Sequence, residues 1–281
     1  MSELKLIDMH THSNFSPDAK SSLLEMCKRA EEIGLLAYAV TDHCDVNFWD
    51  KTDDKSIIDF DMYGSGEYAL KSIEEVTKLK NTFSNLICGI ELGQPLQNLE
   101  KAELVANDSR LDFIIGSHHM NRGENDFYYG KYEYLNICSI EHMLTRCYVE
   151  MLEMCKWAKF DVLGHLTYPL RYITGECGIE VDMSKLDDVI ETIFKTLINN
   201  GKGIEINTSG LRQKYGKTFP DFKYVKMYKE LGGEFLTVGS DAHCTKDLGS
   251  GIDMGFEIAK QSGFKYVTYY KNRKPKLMKI D

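Results

Sequence analysis

The sequence of 281 residues has no apolar run near the ~18–20 residues that cross a bilayer. Its opening, MSELKLIDMH, lacks the basic segment, apolar stretch and small-residue cleavage site of a secretory leader. Membrane spanning and secretion are not expected, and a cytoplasmic location is. Positive charge is also in deficit: 34 Lys and Arg against 43 Asp and Glu leave a formal net charge of −9. Phosphate-backbone binders carry a basic face, so nucleic acid is not an expected partner. With 5 prolines and no Pro/Gly-rich linker or composition break, one domain over 1–281 is expected. No C-x-x-C pair occurs among the 8 cysteines. A chain of this size needs no disulfide staples, so reduced thiols are expected.

What is present is a rhythm of short β-branched runs and amphipathic segments. LKLIDMH (4–10) reads as a strand, and 21–34 as a helix with a Ser start and a Gly stop. Strands are expected at 35–42, 85–91, 111–117, 160–165, 203–208, 234–241 and 264–270. The helices between them fall near 67–82, 98–109, 139–158, 183–200, 221–231 and 253–262. The alternation predicts a parallel sheet with helices outside. No G-x-G-x-x-G opens the first helix, which favours a closed barrel over an open doubly wound sheet.

The histidines cluster at or just past predicted strand C-termini, the rim on which such barrels assemble their sites; only His142 lies inside a predicted helix. Asp8, His10 and His12 alternate along one extended segment and share a face, so two imidazoles can serve one metal. Thr41-Asp42-His43 ends the second strand and Gly89-Ile90-Glu91 the third. Ser117-His118-His119, Gly164-His165 and Ser240-Asp241-Ala242-His243 end later ones, and Asp18 adds a carboxylate to the first loop. A lone H-x-H is more often an ordinary buried pair than a ligand set. The metal reading gains force because these residues recur at one end of many strands.

The ordered set D-x-H-x-H, T-D-H, G-x-E, G-S-x-H, G-H and S-D-A-H resembles the polymerase and histidinol phosphatase (PHP) family over nearly the whole chain. That resemblance implies an α/β fold, a distorted (β/α)7 TIM-like barrel of parallel strands with the active site at the C-terminal rim and the eighth strand peripheral. It implies three divalent ions: zinc, manganese or iron. His10, His12, Glu91 and Asp241 would hold the first, Glu91, His119 and His165 the second, and Asp18, His43 and His243 the third. Glu91, Asp241 and His243 are the residues expected to carry catalysis. Asp18 stands where some relatives have His, and Thr167 departs from the G-H-L-D pattern of many. Asp8 and Asp42 would orient imidazoles or cap the loops.

Two cations sharing a carboxylate acidify a water and clamp the oxygens of an in-line displacement, so a phosphomonoesterase with a small phosphorylated substrate is expected. Arg122, Arg171 and Arg212, which follow the fourth, fifth and sixth strands, are the candidate phosphate forks. The chain length and the segment 262–275 resemble the stand-alone enzymes of the family that hydrolyse L-histidinol phosphate in histidine biosynthesis. The alternatives are another small ester such as a nucleotide or sugar phosphate, an amidohydrolase, and a non-catalytic module. No predicted strand ends in the bridging lysine typical of amidohydrolases, and the full ligand set argues against a non-catalytic module. Loops 44–63, 120–138 and 167–182 are the expected substrate walls, with Tyr128, Tyr129, Tyr132 and Tyr172 stacking on substrate or packing the loops.

Overall fold

The computed structural model describes residues 6–50 and 64–280. Leu4 and Lys5 of the first predicted strand, and positions 51–63 of the first predicted wall loop, lie outside them.

Capping fixes where the first helix starts. The Ser22 hydroxyl accepts from the Glu25 amide at 3.3 Å, and the Glu25 carboxylate takes the Ser22 amide at 2.8 Å. This reciprocal pair satisfies donors a helix start leaves orphaned. Helix α1 (Leu23–Glu32) then buries Leu23, Met26, Cys27 and Ala30, the stripe its 3.6-residue period predicts, and Gly34 leaves it at φ 70°. Helices α2 (Ser65–Leu79), α3 (Leu99–Ala106), α4 (Ile137–Trp157), α5 (Asp187–Asn199), α6 (Phe222–Glu230) and α7 (Ile252–Gln261) follow near the expected places.

Parallel strands alternate with them: β1 (Ile7–Asp8), β2 (Ala37–Val40), β3 (His43–Asp45), β4 (Leu86–Gly93), β5 (Phe113–Ser117), β6 (Val162–Leu163), β7 (Gly203–Asn207) and β8 (Leu236–Gly239). Their order is β1-β2-β4-β5-β6-β7-β8, with β3 also paired to β4. Because β2 and β3 are one interrupted path along β4, the sheet has seven positions. The seam between β8 and β1 is bridged by hydrogen bonds from Met9 to the Val238 carbonyl (3.0 Å) and from His12 to that of Ala242 (2.9 Å). The result is a distorted α/β barrel, most irregular at β1 and β6, which pair over two residues each. β2, β4, β5, β7 and β8 are buried along their whole length, as helix-covered parallel strands must be.

The eighth predicted strand leaves the barrel. It becomes β9 (Tyr266–Lys271), paired antiparallel with β10 (Lys274–Lys279). The sequence KPKLMK of β10 is too polar to signal a strand; hairpin pairing with β9 creates it. The hairpin covers the N-terminal end of the barrel. Tyr270 stacks on Phe113 at 5.0 Å, and Arg273 donates to Asp161 at 2.6 Å. The cysteines are free thiols, with Cys27, Cys44, Cys88, Cys147 and Cys155 buried.

Candidate metal centre

At the opposite rim, the segment after β1 delivers His10 and His12, β3 delivers His43, and β4 delivers Glu91. His119 follows β5, His165 follows β6, and Asp241 and His243 follow β8. The strand ends therefore bring together side chains up to 233 positions apart in sequence.

Glu91 sits at the middle. One oxygen, Oε1, lies 3.0 Å from His119 Nε2 and 2.7 Å from His165 Nε2, and those two nitrogens are 3.3 Å apart. The other, Oε2, is 3.4 Å from His10 Nε2 and 3.5 Å from His12 Nε2. Asp241 Oδ1 completes this second group at 3.3 Å from His12 Nε2. Asp18, at the exposed mouth, lies 3.0 Å from His243 Nε2 and 3.7 Å from His43 Nε2, while His43 Nδ1 turns back to Glu91 Oε2 at 2.9 Å.

Acceptor-only partners set the imidazole tautomers. His10 Nδ1 donates to Glu205 Oε1 (2.7 Å), His119 Nδ1 to Asp45 Oδ1 (2.9 Å) and His243 Nδ1 to the Asp241 carbonyl (3.0 Å). The Ser16 hydroxyl gives its proton to Asp42 at 2.7 Å and so accepts from His12 Nδ1 at 3.0 Å. Each of these rings, when neutral, therefore aims an unprotonated Nε2 into the cluster. His10 Nε2, His12 Nε2, His43 Nδ1, Asp45 Oδ2 and Glu91 Oε2 are buried without a hydrogen bond. Such orphans cost about 1–3 kcal/mol each. Among the described residues, donor atoms close enough to surround an ion also meet at His10, His12 and Glu91, at His43, Glu91 and His119, and at His12, His43 and His243. The donors are N and O atoms, the chemistry that suits zinc, manganese and iron, so the residues fit the divalent cations the motifs imply.

The electrostatics agree. Burial opposes charge on His10, yet Glu205, Glu91 and Asp241 raise its pKa well above the usual value. His119 is likewise raised against burial by Glu91 and Asp45. Glu91, despite burial, is held well below the carboxylate range by His10, His119 and His43. His12 goes the other way, pushed down to about 3 by burial and by His243 and His43. The cluster keeps its carboxylates ionised and draws cations to them.

Backbone geometry is bent to this purpose. Asp241 adopts φ 54°, a left-handed conformation unfavourable for a non-glycine residue, and its amide is tied to the His10 carbonyl at 2.7 Å. Arg212 holds the turn from outside, donating to the Ser240 and Asp241 carbonyls at 2.6 and 2.8 Å. At Gly239 a Cβ would overlap His10 and Glu205, so the close approach of β8 to the ligand segment requires glycine there.

A cavity of about 440 Å³ opens over the cluster, lined by Asp18, His43, Glu91, His119, His165, Asp241 and His243, and by Asp126, Tyr128, Tyr129, Tyr168, Arg171 and Tyr172. Of the three predicted arginines, Arg171 lines it, its guanidinium making no hydrogen bond or ion pair among the described residues and lying 5.0 Å from the Tyr172 ring. Arg212 does not line it and donates instead to the carbonyls of the Asp241 turn. Arg122 is corrected more sharply: it donates to the Leu96 carbonyl and lines a separate cavity of about 250 Å³ with His118, because the chain past His119 turns outward to pack on α4. His118 points away from the cluster to Asn121. Asp42 reaches His12 through Ser16, whereas Asp8 anchors Ser240 and Gly249 and orients no imidazole.

Glu205, Asp45, Ser16 and Gln94 escaped the sequence reading. Glu205 carried a signal, a lone carboxylate inside the apolar strand GIEIN, where burial demands a partner. Asp45 shares a face with His43 two residues before it, also a readable cue. Gln94, which binds the His119 amide (3.0 Å) and Asp45 (2.7 Å), carried none.

With this geometry established, likeness to known proteins adds the family. The model of the PHP domain matches residues 8–209. The chain belongs to the PHP domain family. A probable histidinol-phosphatase of Thermotoga maritima is 31% identical, covering 93% of this chain and 94% of the relative. A histidinol-phosphatase of Lactococcus lactis is 25% identical, covering 99% of this chain and 97% of the relative. Among solved structures, the histidinol phosphate phosphatase of Lactococcus lactis complexed with zinc, L-histidinol and phosphate superposes with a TM-score of 0.75 at 22% identity, over 98% of this chain and all of that one. This PHP chain thus shares its fold with the Lactococcus lactis structure. Among the described residues, no helix is long and apolar enough to cross a membrane.

Proposed function

We propose that the chain is a metal-dependent phosphomonoesterase of the cytoplasm that hydrolyses L-histidinol phosphate to L-histidinol and phosphate in histidine biosynthesis, through one domain spanning 1–281. The observation that carries it is Glu91, a buried carboxylate with each oxygen facing a different pair of imidazoles, at the floor of a cavity large enough for a small ester. The names of the Thermotoga and Lactococcus relatives support the choice of ester.

His10, His12, Glu91 and Asp241 would hold one ion, Glu91, His119 and His165 a second, and Asp18, His43 and His243 a third. When bound, divalent ions supply Lewis-acid polarisation of the phosphoryl oxygens and an acidified water nucleophile. Glu91 spans both inner sets and keeps them in register. Glu205, Asp45 and Ser16 hold the Nδ1 protons of His10, His119 and His12, so those rings cannot turn. Arg171, the unpaired guanidinium at the wall, binds the phosphoryl group and offsets its growing charge. Tyr168 and Tyr172, hydroxyls 2.9 Å apart, wall the cavity and reduce bulk water at the reacting centre.

The second reading, a different small phosphate ester, draws on relatives from Vibrio named only as probable phosphatases, 24% identical in Vibrio atlanticus. Steady-state kinetics of metal-analysed protein on L-histidinol phosphate beside nucleotide and sugar monophosphates separates the two. The expected outcome is a kcat/KM at least ~10-fold higher for L-histidinol phosphate, a margin one charged or hydrogen-bonded contact supplies. An equal margin for another ester moves the assignment to that ester.

A further inference from the structure

Beyond the ligands and Arg171, the cavity wall carries one more charge. Asp18, Glu91 and Asp241 belong to the cluster, which leaves Asp126 as its additional carboxylate among the described residues. Asp126 Oδ1 takes the Tyr128 amide at 2.7 Å and the Tyr168 hydroxyl at 3.2 Å. Its Oδ2 has no hydrogen bond, and no Lys or Arg pairs with it, among the described residues. The Tyr168 ring lies 5.5 Å from that of His119 and 5.0 Å from that of His165, so Asp126 stands one tyrosine away from the metal ligands. Around it the rings of Tyr128 and Tyr129 meet edge to face at 4.9 Å, and Tyr128 meets Tyr172 at 5.8 Å.

We infer that Asp126, with the tyrosine faces beside it, is a cation subsite that selects phosphate esters bearing an ammonium group close to the ester oxygen. The geometry makes the cavity two-ended. The metal ligands and Arg171 suit a phosphate dianion, while a carboxylate with an unused oxygen among electron-rich rings suits a small cation. Burial raises the Asp126 carboxyl pKa despite the nearby His119 charge and the Tyr128 and Tyr168 hydrogen bonds, and a bound ammonium beside its unused oxygen would favour the carboxylate. The inference rests on the phosphomonoesterase reading and deepens it: L-histidinol phosphate carries its amine on the carbon next to the one bearing the ester oxygen. Asp126 is thus assigned to substrate selection, a role distinct from the reaction at phosphorus.

The test compares wild-type and Asp126→Asn protein, both metal-loaded and metal-analysed, on two ester pairs. One pair is L-histidinol phosphate and its counterpart without the amine; the other is phosphoethanolamine and ethyl phosphate. Asn keeps the acceptor for Tyr128 and Tyr168 and removes the charge, and circular dichroism with a thermal midpoint checks folding. The expected result is a wild-type preference for the amine-bearing member, which falls ~10–100-fold in the variant, mainly through KM. Asp126→Glu should restore part of the preference. An amine preference absent in the wild type, or unchanged in Asp126→Asn, overturns the inference. If L-histidinol phosphate is a poor substrate, the reading of its identity fails and the second pair decides Asp126. Absence of turnover on every ester overturns both.

Discussion

The two ends of the barrel bury the same kinds of residue to opposite effect. At the N-terminal end, Asp112 accepts the Cys88 and Asn272 amides at 3.0 and 2.9 Å and the Lys80 ammonium at 2.5 Å. Asp161 accepts the Ile114 amide at 2.8 Å and the Arg273 guanidinium at 2.6 Å. Each acid there is matched by amides and a permanent cation. At the C-terminal rim, Glu91, Asp241 and Asp45 face imidazoles whose charge is conditional, and buried nitrogens and oxygens are left over. A satisfied network closes a fold, and an unsatisfied one whose lone pairs converge prepares for a ligand. Acidic residues alone therefore identify nothing; what separates the ends is whether a fixed Lys or Arg side chain or an exchangeable cation completes the charge.

Glu91→Ala should give the largest effect and most directly break this contrast. One residue serves both inner ligand sets, so kcat/KM should fall by ~10³-fold or more with loss of bound metal, while circular dichroism remains that of a folded barrel. Near-wild-type turnover with full metal content would remove Glu91 from the centre. Glu205→Gln sharpens the comparison, since it keeps the shape but weakens the group holding His10 Nδ1. Metal affinity should drop ~10–100-fold in competition with a chelating dye, with smaller losses of kcat in excess metal. Unchanged affinity would make Glu205 an ordinary buried acid like those at the other end. Arg273→Ala, the reciprocal change, should cost about 2 kcal/mol of stability by denaturant titration, because Asp161 loses its cation while the side chain replaced was partly exposed. Metal content and kcat/KM below the unfolding transition should stay at wild-type levels. A large loss of activity in that variant would mean that the two ends are coupled.

Much of the rim was legible because strand ends write their chemistry locally. His10 and His12 share a face by alternation, whereas Asp241 and His243 repeat that spacing past the end of β8, where the left-handed turn at Asp241 (φ 54°) places them. The covering strand was half legible: β9 announced itself by its aromatic run, whereas β10 depends on β9 for its hydrogen bonds. Arg122, Arg171 and Arg212 looked alike in sequence, each following a strand. Only the paths of their loops distinguish a cavity wall from a clamp on the Asp241 turn or a surface contact with Leu96. Asp126 was invisible for the same reason, since its loop meets Tyr168 across 42 positions.

The order of residues alone determined the strand–helix alternation, the rim on which ligands collect and the identity of the metal-type side chains, because those follow from short-range periodicity and donor chemistry. Tertiary structure decided which nitrogen of each histidine faces inward, which arginine stays unpaired and which acids remain without a cation. Those outcomes depend on distances between loops far apart in the chain, and such distances are fixed only when the sheet closes.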